Sequence, residues 1–177
     1  MGYRLNAYRV LEDAKRAYEM LENIDDDDQL FRITWFSCVG LLRTVAEVLK
    51  HDAEKDKKLK LLWDNRFKEL NVLARKYEFE KYTECPKDFL FWTRLFQLER
   101  NFIAHEYKFG YADYDTQIAV VGSSAFDSVN YVMDASIYRP MDDIEMYGDL
   151  DCRDWILGAI RWWENELAFF RQKSFNL

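Results

Sequence analysis

Phe91-Trp92-Thr93-Arg94-Leu95-Phe96-Gln97-Leu98-Glu99-Arg100-Asn101-Phe102-Ile103-Ala104-His105 is the stretch on which the fold turns. At about 100° per residue, Phe91, Leu95, Leu98 and Phe102 fall on one apolar ridge, which Trp92, Phe96 and Ile103 widen to one side. The ridge predicts the buried face of a helix over about residues 87–108. Cys85-Pro86 opens that helix and it ends near Gly110, because proline suits a first turn and glycine a C-terminal cap.

Working outward, three more helices precede it. Leu5, Tyr8, Leu11, Tyr18 and Leu21 recur at helical spacing over residues 3–23. Phe31, Trp35, Val39, Leu42, Val45 and Leu49 form a more apolar stripe over 29–50, the mark of a central helix. A third helix is expected over 59–81, with Leu62, Phe67, Leu70 and Leu73 inward and the charged segment His51 to Lys58 as its link to the second. The acidic run Asp25 to Asp28 reads as a connection that supplies an N-cap. Calcium is the sharper reading of that run, but the spaced ligands and glycine of an EF-hand loop are missing.

After Gly110 the period changes. Residues 117–121 and 129–138 are rich in Val, Ile and Tyr, with Gly122-Ser123-Ser124 and Asp127-Ser128 between them, which predicts a β-hairpin. A last helix follows over 151–173, where Ile156, Ile160, Trp163, Leu167 and Phe170 keep one stripe and Trp155, Ala159 and Trp162 broaden it. So broad a face suggests burial on two sides, by the core and by a second subunit. The expected architecture is one all-α domain, residues 1–177, an up-and-down bundle of about five helices with 111–149 as a small hairpin insertion before the last.

Composition limits what such a domain does. The chain has 177 residues, a formal net charge of −7, two histidines and three cysteines. An anionic chain does not coat nucleic acid, since phosphate binding needs lysine and arginine to displace counterions, so any such contact is local. The basic run from Lys55 to Lys76 is one candidate, and reads better as a solvated helix face with intrahelical ion pairs. Cys38, Cys85 and Cys152 are widely spaced and lack a Cys-x-x-Cys pair, which points to reduced thiols rather than to disulfides or zinc. Neither a signal peptide nor a membrane-spanning run is legible, so the expectation is a cytoplasmic protein with no membrane partner.

His51 has no cysteine or second histidine beside it, and chemistry therefore centres on His105. Asn101 and His105, four apart, share one flank of the ridge, whereas Arg100 and Tyr107 share the other. Arg100 and His105 stand about 140° apart on an ideal helix. Either the arginine arm wraps back, or a two-fold partner brings its own copy of the helix to a composite cleft. Histidine exchanges protons near neutral pH and serves a ribose 2′-hydroxyl as base or a leaving oxygen as acid. Arg100 holds phosphate oxygens and opposes charge building on phosphorus. Asn101 orients the imidazole or the ribose, and Tyr107 bonds a phosphate or stacks on a base. Arg43 and Glu47, four apart on the second helix, read as an intrahelical salt bridge or as walls of the same cleft.

Arg100-Asn101-Phe102-Ile103-Ala104-His105 resembles the motif of the HEPN superfamily, all-helical domains whose ribonuclease members carry Arg, a polar residue often Asn, a few mainly apolar residues and then His late in a helix. With Tyr107 it is similar to the Arg-x4-His-x-Tyr form of HepT-like toxins. The resemblance covers the helices before the motif and the last helix, but not the hairpin. It implies a homodimer with the motif at its interface and metal-independent endoribonuclease activity on RNA, with no metal and no cofactor. It also implies a toxin or phage-defence setting with a nucleotidyltransferase-type antitoxin that modifies the tyrosine. Two alternatives stand beside it. One is a catalytically silent HEPN-like dimer that binds nucleotide or RNA. The other is a structural dimer in which His105 ties a helix end, Arg100 pairs with Glu99 or Glu47, and the hairpin and last helix recruit a protein.

Overall fold

The computed structural model describes residues 5–24, 26–77, 85–106, 109, 111, 139, 141 and 150–175. These residues are mostly helical, in five helices. α1 is Ala7–Glu22, α2 is Asp28–Ala53 and α3 is Lys57–Lys76. α4 is built from three consecutive segments, Lys87–Phe89, Leu90–Glu99 and Arg100–Glu106, and α5 is Cys152–Phe175.

α2 forms the centre, packed against the other four. Its six expected core residues, Phe31, Trp35, Val39, Leu42, Val45 and Leu49, are all fully buried, each worth about 2–3 kcal/mol of apolar burial. Asp27 caps its first turn, accepting from Leu30 N at 2.9 Å, as the acidic run suggests. Asp52, deep in its last turn, accepts from Ala7 N at 3.1 Å and from Asn6 Nδ2 at 2.9 Å. A buried carboxylate thus satisfies the amide end of α1 from a helix 45 residues away.

Two expected boundaries and one stripe change. α2 continues through His51 to Ala53, so the link to α3 shrinks to Glu54, Lys55 and Asp56, and Asp56 caps α3 by accepting from Lys58 N and Leu59 N. α3 buries Leu59, Trp63 and Leu70, whereas Leu62 and Leu73 are half-buried and Phe67 is exposed. Trp63, unread in the sequence, takes the inward place because its ring packs on Trp92 of α4 and Phe170 of α5.

α4 departs from the expected spacing most. Between Leu90 and Glu99 it is a π-helix, in which backbone amides bond five residues back. Phe91, Trp92, Leu95 and Phe96 are buried as expected, but Leu98 is only half-buried and Glu99 turns into the core instead. The wider turn explains this exchange, since Glu99 sits five residues after buried Arg94 and so shares its face. Glu99 accepts from Trp35 Nε1 at 3.4 Å. The side chain of Phe102 lies outside the described set.

On α5, Trp155, Ile156, Ala159, Ile160, Trp162, Trp163, Leu167 and Phe170 are all buried within the one chain. Phe91 meets Trp155 and Trp162, Phe96 stacks on Trp163 at 5.7 Å, and Trp63 flanks Phe170. The two-sided burial expected of this helix is met by α1 to α4, so that face needs no second subunit.

The hairpin expected over 117–138 lies outside the described residues. Its surroundings show an antiparallel bridge between Tyr111 and Met141. Tyr111 packs edge-on against Phe31 and Trp35, and the Arg139 guanidinium lies 4.1 Å over Phe31 while donating to Asp28 Oδ1 at 2.7 Å. Asp151 accepts from Arg139 N and from Arg153 N, so one carboxylate holds the Arg139 backbone and caps α5.

Candidate functional site

α2 and α4 do not close completely along their shared length. A groove of about 810 Å³ opens between them, lined from α2 by Phe36, Ser37, Gly40, Leu41, Arg43, Thr44 and Glu47 and from α4 by Phe96, Gln97, Arg100, Asn101 and Ala104. The α4 side shows why these residues share it: 97, 100, 101 and 104 follow i, i+3, i+4, i+7 spacing. The α2 side is open because Gly40 leaves a gap, and a Cβ there would meet no atom within 4 Å.

Arg100 and Asn101, expected on opposite flanks of the ridge, come together in this groove. Arg100 Nη1 donates to Asn101 Oδ1 at 3.1 Å, and both residues are exposed. Arg43 and Glu47 form the intrahelical ion pair that their spacing predicts, at 2.7 Å, and both line the groove. The Arg43 guanidinium lies 5.5 Å above the Trp92 ring, a cation–π contact that steadies the arm.

His105 is exposed one turn beyond Asn101, outside the groove lining. One chain therefore assembles Arg100, Asn101, Arg43 and Glu47, and leaves the imidazole apart. Tyr107 lies outside the described residues. Glu99, weighed as an ion-pair partner for Arg100, is buried and turned to Trp35, and Glu47 pairs with Arg43.

Other candidates resolve more simply. His51 is exposed, with Nδ1 3.2 Å from Glu54 Oε2. The basic run of α3 is a solvated face carrying a Lys60–Asp64 pair at 2.8 Å. Its one inward member, Arg66, meets Glu166 through two bonds of 2.9 and 2.7 Å and Asp88 at 2.7 Å. Burial opposes the Arg66 charge, and the bonds and charge of Glu166 and Asp88 outweigh it, so its pKa moves upward overall. Among the described residues no cluster of three His, Cys, Asp or Glu is arranged to hold a metal ion, and no helix is long and apolar enough to cross a membrane.

The groove contributes what sequence reasoning missed: Phe36, Ser37, Gly40, Thr44 and Gln97. A signal existed on α2. Ser37, Gly40 and Thr44 are small residues at i, i+3 and i+7 on the side away from the core stripe, where a long helix facing water would carry long charged side chains. No protein-family model, curated protein or solved structure matches this chain.

Proposed function

We propose that this chain is a HEPN-like domain acting in the cytoplasm as a metal-independent endoribonuclease, with Arg100, Asn101 and His105 as its catalytic set. The observation that carries the reading is the pairing of Arg100 and Asn101 at an open groove that also holds Arg43, in a chain whose net charge is −7. Cations concentrated at one cleft of an anionic surface are what a local phosphate contact requires.

Because His105 stands outside the groove of its own chain, the reading calls for a symmetric dimer in which the partner's copy of α4 brings an imidazole to Arg100. In that arrangement the ribose 2′-oxygen attacks phosphorus as its proton passes to one imidazole. The bond from phosphorus to the 5′-oxygen breaks as that oxygen takes a proton from the other, protonated imidazole, giving a 2′,3′-cyclic phosphate and a 5′-hydroxyl. Arg100 opposes the charge on the non-bridging oxygens, and Asn101 holds the guanidinium through the bond already made. A nucleotidyltransferase-type antitoxin directed at Tyr107 belongs to the same reading through the Arg-x4-His-x-Tyr resemblance.

His105→Ala and Arg100→Ala are each expected to lower cleavage of an RNA substrate at least about 100-fold, with helicity and melting temperature kept and with no effect of chelator. Cleavage that survives both substitutions ends this proposal. The place of His105 outside the groove lining favours one second reading, a catalytically silent dimer that binds RNA or nucleotide. It gives salt-dependent affinity without product.

A further inference from the structure

We infer that the α2–α4 groove is a subsite for one unpaired nucleotide of a single-stranded RNA, with Phe36 stacking on the base and Arg43 and Arg100 sharing its phosphate. The inference rests on the ribonucleotide reading above and extends it to a substrate class and to α2 residues outside the motif.

Three features of the groove lead there. The first is charge. Its charged lining residues are Arg43, Arg100 and Glu47, a surplus of one positive charge, which one phosphodiester balances. Glu47 pairs with Arg43 and so neutralises part of the cluster without emptying it of donors, because a guanidinium carries five N–H groups.

The second is the platform. Phe36 is 45% exposed at the groove wall, an aromatic ring left to water on a helix whose other large rings, Phe31 and Trp35, are fully buried. Rings exposed beside cations are how single strands are bound without sequence readout, since every base offers a π-face. A duplex hides those faces in its stack, so this geometry selects unpaired nucleotides.

The third is the polarity of the rim. Ser37 Oγ donates to Ile33 O at 2.8 Å and Thr44 Oγ1 donates to Gly40 O at 2.7 Å. Both hydroxyl protons are engaged within α2, so toward the groove these groups offer lone pairs. They suit donors such as a ribose 2′-hydroxyl or a base amino group, and Gly40 between them leaves the backbone uncovered. The volume falls in the range of about 300–1,000 Å³ that small-molecule sites occupy.

Gly40→Leu supplies a plug, because the Cβ enters open space at the groove wall and leucine is a better helix former than glycine. The probe is a fluorescent single-stranded oligoribonucleotide about eight nucleotides long, within the range of known single-strand sites. It is titrated into the full chain carrying His105→Ala, so that the strand stays intact. Gly40→Leu is expected to weaken binding at least about tenfold with an undiminished melting temperature. Phe36→Ala is expected to weaken it about tenfold, Phe36→Trp to retain it, and the same strand in a duplex to bind worse than alone.

Wild-type affinity in both Gly40→Leu and Phe36→Ala overturns the subsite, as does equal binding of duplex. A dimer turned to monomer by Gly40→Leu, with RNA affinity per chain unchanged, also overturns it and assigns the groove to a second copy. The two proposals fail separately. Groove-dependent binding without cleavage leaves the subsite and removes the nuclease, whereas cleavage indifferent to Gly40→Leu does the reverse.

Discussion

The two flanks of α4 use the same ingredients to opposite ends. Toward α3 and α5, Arg66 is held by both oxygens of Glu166 and by Asp88, and Asp88 also accepts from Trp162 Nε1 at 2.8 Å. Toward α2, Arg43 meets Glu47, which is half exposed, and lies over Trp92 beside open space. The glycines repeat the contrast. A Cβ on Gly158 would come 2.9 Å from Phe91 Cζ, whereas one on Gly40 would touch nothing. The first flank joins helices, with its guanidinium covered by carboxylates. The second keeps a guanidinium reachable from solvent, and the difference separates an arginine spent on joining helices from one left beside an open groove.

Breaking the closed flank has the largest effect. Arg66 and Glu166 are 18% and 15% exposed, so Glu166→Ala removes two charge-assisted bonds from a mostly buried cation, leaves it to Asp88 and Glu69, and is expected to cost about 2–3 kcal/mol in urea unfolding. Glu47→Ala, on the open flank, is expected to change stability by less than about 0.5 kcal/mol, because its carboxylate is 53% exposed. Similar losses from both would erase the distinction between the flanks. The glycines sharpen it with opposite signs. Gly158→Ala forces the Phe91 ring aside and is expected to destabilise by about 1–2 kcal/mol, whereas Gly40→Ala is expected to stabilise by about 0.5–1 kcal/mol.

The smallest effect at ordinary pH is that of Cys38, on the inner face of α2. Burial pushes its thiol from 9.0 up to about 12, and burial foremost also raises Cys152 at the start of α5. Between these limits the unfolded chain has released a proton that the folded chain keeps, so unfolding gains on folding as pH rises. Stability is expected to be unaffected by this thiol below pH 9 and to fall above it, with the slope reduced in Cys38→Ala. An identical slope in that variant would show that the thiol is not shielded.

The large residues of the α2 core are legible because Phe31, Trp35, Val39, Leu42, Val45 and Leu49 keep one helical period, whereas buried Thr34, Cys38, Ala46, Asp52 and Ala53 are too small or too polar to stand out in that pattern. On α3, Leu61, Leu62, Trp63 and Phe67 compete for the same face, and Trp63 wins through rings on α4 and α5 that no local pattern reveals. The exchange of Leu98 for Glu99 was hidden for another reason, since reading by 3.6 residues per turn presupposes an α-helix. Of the candidate site, Arg43, Glu47, Arg100 and Asn101 were named from spacing, and the groove collects all four. Phe36 and Gly40 fall outside the core stripe of α2, and nothing in their local pattern says that a groove opens there until α4 is in place.

The π-helical stretch of α4 carries a consequence for how this chain tolerates change in length. Arg100 follows that stretch directly, so its bearing about the helix axis is set by the winding of the ten residues before it. Losing one codon there would rewind the segment toward ordinary pitch and swing the motif off the groove while every residue of the motif stayed intact. Insertions and deletions upstream thus change the bearing of Arg100 on the groove while the spacing from Arg100 to His105 stays as it is.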